Sequence, residues 1–301
     1  MKIIATDLEF FRLIATAGCC NLEQARIIYE SVSNNKWYHY KRVQRLEEEG
    51  YIIKRDDQTI ELALRGAEAI GETKYRFRNT ATKKSHIHVA DIILSTRLKF
   101  VSNRDIRHQY NLNRRTYFKG GFEINDNLYL LYIINEETKI NHIKQMHTEL
   151  RINGTGKKLN RSIILFQKSQ AIGMFGSDPH NQQELIILPY SVGTHVLENY
   201  FEEEFQTILG EKIPKEAKPS AYPFADYETS EEYYTFLVLH DLVKRKALEN
   251  YHKTPFPKKV NIICLESQAY MFSQFYNKIN IITIEDEKLI KEDIKYAVNS
   301  K

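Results

Sequence analysis

The sequence lacks a hydrophobic run long enough to cross a membrane, since no stretch approaches eighteen uninterrupted apolar residues. The amino-terminal segment also reaches Asp7 and Glu9 before the apolar core of a secretory signal peptide is complete. These two absences predict a cytoplasmic protein without a membrane partner.

Cysteine is scarce, with only Cys19, Cys20 and Cys264 in the chain. Adjacent cysteines rarely bond each other because the bond strains the intervening peptide. None of the three lies in a CxxC spacing or beside a paired histidine, which a zinc site would require. We therefore expect reduced thiols that are buried or half-buried, and we expect neither a metal nor any other cofactor.

Motifs for catalysis are missing as well. The segment NGTGKK at 153–158 lacks the final Ser or Thr of a phosphate-binding loop and leads into a predicted strand, so we reject that function for it. A restriction-nuclease-like site needs an acid on one strand and an acid-x-Lys on the next to hold Mg²⁺. The strand predicted at 128–134, LYLLYII, supplies neither, and Glu123 with Asp126 does not make a metal site. We assign no catalytic residue.

What the sequence does contain is enough apolar residues for a folded chain, 42% of 301, and an uneven charge. Residues 1–72 carry a formal charge of −2, residues 73–120 carry +10, and the remainder carries −4. A basic block of this kind is typical of a protein with a polyanionic partner. A solvated charged linker is the alternative.

The first thirty residues show two short amphipathic patterns. After Thr6, the expected N-cap, apolar residues recur at helical spacing until Gly18. Asn21 is expected to cap a second helix, whose apolar stripe ends at Tyr29. A polar turn then leads to a third helix.

This third predicted helix ends at Gly50 and carries most of the candidate DNA-reading side chains. Its expected inward face consists of residues spaced three apart, Trp37, Tyr40, Val43 and Leu46. The residues left pointing outward are of types that bind bases and phosphates: Asn35, Lys36, His39, Arg42 and Arg45. The pattern predicts a recognition helix for the major groove of double-stranded DNA.

A β-hairpin is predicted next, with strands at 51–55 and 59–63, followed by a short closing helix, LRGAEAIG. Lys54 and Arg55 flank the hairpin tip and are candidates for phosphate contacts. This order of elements indicates a winged helix-turn-helix domain over residues 1–75. A helical bundle that uses its hairpin for protein contacts is the alternative.

Residues 76–120 are predicted to be a basic linker or arm, with helical pattern only from Val89 onwards. Its candidate DNA-binding residues are Arg104, Arg107, Arg114 and Arg115. They alternate with aromatic residues, Tyr110, Tyr117 and Phe118, a combination that suits nucleic acid. Alternatively, these aromatic residues belong to a core and the arginines to its rim.

From residue 121 onwards strands and helices alternate, which predicts an α/β domain over 121–301 with parallel strand pairs, used for partner binding or dimerisation. The hairpin, helix and strand expected at its start leave open a degenerate, non-cutting restriction-nuclease-like core. The predicted fold class of the whole chain is α+β.

The run LEEEGYI at 46–52, the hairpin and LRGAEAIG resemble the replication-relaxation family of winged-helix plasmid and mobile-element proteins of Gram-positive bacteria. Beyond Gly121 the similarity is architectural only. The resemblance implies a role in plasmid replication, relaxation or transfer, with a second copy of the chain or a replication or relaxase protein as partner.

We therefore predict a sequence-specific double-stranded DNA-binding protein without enzymatic activity. Two alternatives stay open. One is a transcription regulator whose second half senses a small molecule, and the other is a nuclease or relaxase with an unrecognised active site, since any of nineteen tyrosines could transfer a strand.

Overall fold

The computed structural model has a mixed α+β fold, as predicted. It describes residues 1–74, 80–112, 115–135, 138–155, 158–167, 175, 178–251, 253, 258–273 and 279–289. The chain divides into two compact units, Met1–Tyr110 and Asn111–Lys301, whereas the sequence suggests boundaries near 75 and 120.

The first unit begins with three helices, α1 (Ala5–Ala17), α2 (Leu22–Tyr29) and α3 (Tyr38–Glu48). The hairpin strands β1 (Ile52–Lys54) and β2 (Ile60–Leu62) follow, and the unit continues with α4 (Leu64–Ala69), α5 (Thr80–Leu94), β3 (Lys99–Ser102) and α6 (Asn103–Gln109). The predicted three helices, hairpin and closing helix are therefore present in the expected order.

Local capping sets the ends of the first two helices. Gly18 closes α1 with φ of 99°, as predicted, but the expected N-cap Thr6 lies inside the helix and Ile4 takes that position. The Asp7 carboxylate accepts a hydrogen bond from the Ile4 backbone N–H at 2.8 Å, which satisfies a donor at the helix start. Asn21 caps α2 as predicted, accepting from the Gln24 N–H at 2.9 Å.

The hairpin is antiparallel, with Ile53 opposite Glu61. The loop between α1 and α2 joins its second strand, because Cys20 and Ile60 exchange two backbone hydrogen bonds of 3.1 and 2.8 Å. A Cβ on Gly66 of α4 would lie 2.1 Å from the Tyr51 carbonyl oxygen, so only glycine permits this close approach of α4 to the strand.

Helix α5 begins about nine residues before the expected position, within the segment predicted to be a linker. Tertiary contacts explain the difference, since Val89, Ala90 and Ile92 are buried and α5 packs on α1 and α2. The buried Gln24 side chain donates to the Ile87 carbonyl oxygen at 2.9 Å and to Asp91 Oδ1 at 2.7 Å. From Lys83 onwards α5 thus contacts the rest of the first unit, which a local pattern does not reveal.

In the second unit, the first group of elements comprises β4 (Gly120–Ile124), β5 (Asn127–Ile134), α7 (Ile140–Thr155), β6 (Arg161–Phe166) and β7 (Glu184–Pro189). The second group comprises α8 (Gly193–Tyr200), α9 (Glu203–Glu211), β8 (Lys218–Pro219), β9 (Tyr227–Glu228), β10 (Glu232–Phe236), α10 (Leu242–Tyr251), β11 (Lys259–Leu265), α11 (Glu266–Ser273) and β12 (Ile279–Ile284).

Strands β4, β5, β6 and β7 lie side by side in that order. The first pair is the predicted hairpin, with the two loop residues Asn125 and Asp126 at φ of 47° and 62°, as a tight hairpin turn requires. Helix α7 then connects β5 to β6, which runs parallel to it, and β7 is parallel to β6. The expected sequence of hairpin, helix and parallel strand is confirmed.

The other sheet has the order β12-β11-β10-β9-β8, and its first three strands are parallel. One of its faces packs on α10 and α11 around Tyr233, Ile262, Leu248 and Phe272. Two helices, α8 and α9, lie between β7 and β8 and are interrupted between Tyr200 and Glu203.

All three cysteines are free and buried, as the sequence predicts. Burial raises the pKa of Cys19 and of Cys264 to about 12, so these thiols stay protonated at neutral pH. Across the described ranges, no helix combines the length and apolarity needed to span a bilayer.

Candidate nucleic-acid interface

Helix α3 separates its side chains into two clear faces. The exposed set starts at the N-cap position and recurs at helical spacing: Trp37, Tyr40, Lys41, Gln44, Arg45 and Glu48. The remaining positions are buried or half-buried: Tyr38, His39, Arg42, Val43, Leu46 and Glu47. One full face of the helix is therefore open to solvent.

A buried ion pair fixes this rotation of α3. Arg42 Nε donates to Asp7 Oδ1 of α1 at 2.9 Å, a second guanidinium nitrogen binds Asp7 Oδ2, and the Tyr29 hydroxyl donates to Oδ1 at 2.8 Å. Asp7 is fully buried, which by itself raises its pKa, but the hydrogen bonds from Arg42, Ile4 and Tyr29 outweigh burial and lower it. The prediction that Arg42 points outward is wrong, because Asp7 holds it inside the helix bundle.

The expected inward face of α3 is wrong at two of its four positions. Val43 and Leu46 are fully buried, whereas Trp37 is 68% and Tyr40 is 45% exposed. The sequence prediction assigned both aromatic residues to the core only because they are apolar. Helix α3 begins at Tyr38, so Trp37 precedes its first turn. A signal was present in the sequence, because Lys41 follows Trp37 by four residues and thus shares its face.

Three predicted residues lie beside this face. Asn35, Lys36 and His39 line an open cavity of about 510 Å³ at the turn between α2 and α3, together with Arg26, Glu30 and Tyr38. Asn35 Oδ1 accepts a hydrogen bond from the Trp37 backbone N–H at 2.9 Å, which shapes the turn into α3. Asn35 therefore has a structural contact in addition to its exposed position.

Positive charge surrounds the aromatic residues. Lys41 and Arg45 are exposed on α3 itself, and Lys54 extends from β1 with its ammonium 5.4 Å from the ring centre of Tyr40. The Lys54 backbone N–H donates to the Glu47 carboxylate at 3.1 Å, which links the hairpin to α3. Cations and aromatic rings from two neighbouring elements thus lie together. We call the exposed residues of α3, Trp37, Tyr40, Lys41, Gln44, Arg45 and Glu48, the α3 face, and Lys54 of β1 lies beside it.

Arg55, the other predicted hairpin residue, is only partly available for a phosphate contact, because it already forms an ion pair within the first unit. It pairs with Glu61 at 3.2 Å, and Lys83 of α5 pairs with the same carboxylate at 2.7 Å and with Asp57 at 3.2 Å. Burial favours a raised pKa for Glu61, but the hydrogen bonds from Lys83 and Arg55 lower it. This network connects the hairpin tip to α5, so Lys83 serves the fold and adds little to an external basic surface.

The candidates of the basic segment are divided between the two units. Arg104 pairs with Glu72 at 2.5 Å, Arg107 is exposed on α6, and Arg115 of the second unit lies 5.4 Å from the ring centre of Tyr117. Arg114 lies outside the described residues. Phe118 is buried near Tyr132, so for this residue the core alternative is confirmed.

The second unit contains an open cavity of about 340 Å³ on its parallel sheet. Tyr234, Asn261 and Asn280 lie side by side on the neighbouring strands β10, β11 and β12, with Glu232 and Lys259 also lining the cavity. Asn280 donates to Asn261 at 2.8 Å, and Asn261 donates to Glu232 at 3.0 Å. These polar groups therefore hydrogen-bond to one another. A ligand-responsive regulator, one of the alternatives from the sequence, would bind its small molecule in a cavity of this kind.

The described residues contain no group of three or more His, Cys, Asp or Glu side chains able to hold a metal ion. Strand β5 is apolar and buried from Tyr129 to Ile134. The Tyr129 hydroxyl of this strand donates a hydrogen bond to the Glu184 carboxylate of β7. No acid-and-lysine pair of nuclease type therefore lies on β5.

Comparisons with protein-family models, curated proteins and solved structures found no match to this chain.

Proposed function

We propose that the chain is a non-enzymatic protein that binds specific sequences in double-stranded DNA through a winged helix-turn-helix formed by its first unit. In this proposal α3 enters the major groove and the β1–β2 hairpin is the wing. The order of three helices, antiparallel hairpin and closing helix supports this assignment. The additional pairing of Cys20 with Ile60 gives the hairpin a firm attachment to the helices.

The observation that carries the proposal is the exposed α3 face. An isolated helix face that projects a tryptophan, a tyrosine, a lysine and an arginine into solvent has no role in the core of its own unit. Arginine and lysine bind guanine edges and phosphates in the major groove, and Glu48 lies at the far end of the helix. Lys54 on the hairpin adds a phosphate contact next to this face.

Sequence-specific reading is assigned to Arg45, Lys41 and Gln44, since these side chains are long, polar and exposed in the middle of α3. Gln44 donates to Glu48 at 3.1 Å in the free protein and must exchange this bond for one to a base. Arg42, Lys83 and Arg104 support the fold through ion pairs, so they contribute less to binding than their charge suggests.

The biological role that we propose is plasmid or mobile-element replication, relaxation or transfer. Its support is the resemblance of LEEEGYI and LRGAEAIG to the replication-relaxation family. The arrangement of the β4–β5 hairpin, α7 and parallel β6 is compatible with a degenerate nuclease-like core in the second unit. Such a core would serve a second copy of the chain or a replication or relaxase protein as a docking platform.

Selection of bound duplexes from a random pool by the full chain tests the proposal. We expect enrichment of a defined sequence, and we expect log affinity to fall linearly with log salt, with a slope of about −0.9 for each phosphate contacted. Failure to enrich any sequence, together with absence of salt-dependent binding, would overturn the proposal. Enrichment of a palindrome would indicate a symmetric dimer on DNA.

A further inference from the structure

Two aromatic side chains on α3 are more exposed than their size leads one to expect. Trp37 is 68% exposed and Tyr40 is 45% exposed, although tryptophan and tyrosine are usually largely buried. Both occupy the amino-terminal end of α3, with Trp37 at the N-cap and Tyr40 one turn further on. Neither supports the buried side of the helix, which Val43 and Leu46 provide.

The charge around these rings favours an anionic partner. Lys36 and Lys41 are exposed next to them in sequence, and the Lys54 ammonium lies 5.4 Å from the Tyr40 ring centre. An apolar patch within a cationic rim complements a surface that has apolar groups flanked by phosphates. The major groove of DNA is such a surface where thymines occur, since each thymine presents its C5-methyl group there.

We propose that Trp37 and Tyr40 are specificity-determining residues that contact thymine methyl groups in the major groove. This inference rests on the proposed DNA-binding function and adds the base that these residues select. The amino-terminal end of a recognition helix is the part that approaches base edges, and both rings lie there. The bound sequence therefore contains thymines at the positions that face this end of α3.

Stacking of the rings on unpaired bases is the competing use of such residues. The position of the Lys54 ammonium over the ring of Tyr40 argues against it, because a cation already covers one ring face. Contact with a methyl group requires only the ring edge or a partly covered face. Duplex DNA is therefore the partner that this geometry favours.

The test compares the selected duplex with a version in which deoxyuridine replaces thymidine, so that only the methyl groups are lost. For the full wild-type chain, we expect affinity to fall about fourfold for each contacted methyl. Trp37→Ala should bind the thymine duplex more weakly and respond less to the replacement. Leu64→Ala, which truncates another exposed apolar residue of the same unit, should behave as wild type.

Trp37 is the only tryptophan in the chain, so its fluorescence provides a second measurement on the unmodified protein. Emission should change on binding the thymine duplex, and change less with the deoxyuridine duplex at equal saturation. Equal affinity of wild type for both duplexes would overturn this inference and leave the proposed function intact. Tighter, Trp37-dependent binding to single strands would overturn it as well, whereas failure to bind any duplex would overturn the proposed function itself.

Discussion

Arg42 of α3 and Asp7 of α1 form a buried ion pair, with Arg42 Nε 2.9 Å from Asp7 Oδ1. Only 10% of the Arg42 side chain and none of the Asp7 side chain is exposed. Because this pair sets the rotation of α3, it also determines which residues form the α3 face. An arginine that the sequence suggests as a DNA-binding residue is thus the residue that positions the α3 face.

Arg42→Ala should therefore lower the free energy of unfolding of the first unit by about 3 kcal/mol, because a buried carboxylate loses its cation. Urea unfolding at pH 7, followed by far-ultraviolet circular dichroism, measures this change. Arg45→Ala is the matched control. Arg45 is exposed on the same helix, so its removal should change the free energy of unfolding by less than about 0.5 kcal/mol. Equal unfolding midpoints for the two variants would contradict the structural role of Arg42.

Gly66 and Gly210 should respond in opposite directions to replacement by alanine. A Cβ at Gly66 would lie 2.1 Å from the Tyr51 carbonyl oxygen, so Gly66→Ala must displace α4 from β1 and destabilise the first unit. A Cβ at Gly210 in α9 would have no atom within 4 Å, so Gly210→Ala should stabilise its helix by up to about 1 kcal/mol. Thermal unfolding followed by circular dichroism distinguishes the two, and stabilisation by Gly66→Ala would contradict the close packing of α4 on Tyr51.

The second unit should lose stability as the pH falls from 6.5 towards 4. Burial lowers the pKa of His180 from its ordinary value of 6.5 to about 4, although Asp178, 3.2 Å away, opposes the change. The neighbouring His147, whose Nδ1 lies 2.5 Å from His180 Nε2, has a lowered pKa too. In this window the unfolded chain binds protons that the folded chain does not, so the stabilisation is complete above 6.5 and is lost on acidification.

Replacement of His180 by asparagine removes this titration while suiting the left-handed backbone at φ of 54°. Urea midpoints measured by circular dichroism between pH 4 and 7 should fall less steeply for His180→Asn than for wild type. Identical slopes would contradict the lowered pKa of His180, because they would show that the histidine binds protons equally in the folded and unfolded chain.

Supercoiled plasmid incubated with the full chain and Mg²⁺ should remain supercoiled. Strand β5 offers no acid-and-lysine pair that could hold the metal and activate water. Agarose electrophoresis detects nicked or linear products directly. Conversion of the plasmid at rates that scale with protein concentration would favour the nuclease or relaxase alternative.

Much of the fold follows from patterns in the sequence, because these patterns are local. Gly18, Asn21 and the Asn125–Asp126 turn mark boundaries through backbone geometry that depends on the residues themselves. The buried strands of the second unit are equally recognisable, since runs such as LYLLYII and VNIICLE are too apolar to lie at the protein surface.

The candidate site is less predictable, because it depends on which residues meet in space. Asp7, the partner of Arg42, is thirty-five residues away in the sequence, and Glu61, the partner of Lys83, is twenty-two residues away. Neither contact has a local signature, so both cations look exposed in the sequence. The same two contacts explain why Trp37 and Tyr40 are exposed and why α5 belongs to the first unit.

The most direct test of the account is the affinity of the full chain for its selected duplex when the α3 face loses its charge. Fluorescence anisotropy with a labelled duplex should show at least tenfold weaker binding for the double variant Lys41→Ala/Arg45→Ala. The slope of log affinity against log salt should also become shallower by the equivalent of one or two phosphate contacts. Arg12→Ala, which removes an exposed charge from α1, should bind as wild type. Equal affinities for the double variant and wild type would contradict the assignment of α3 as the DNA-reading helix.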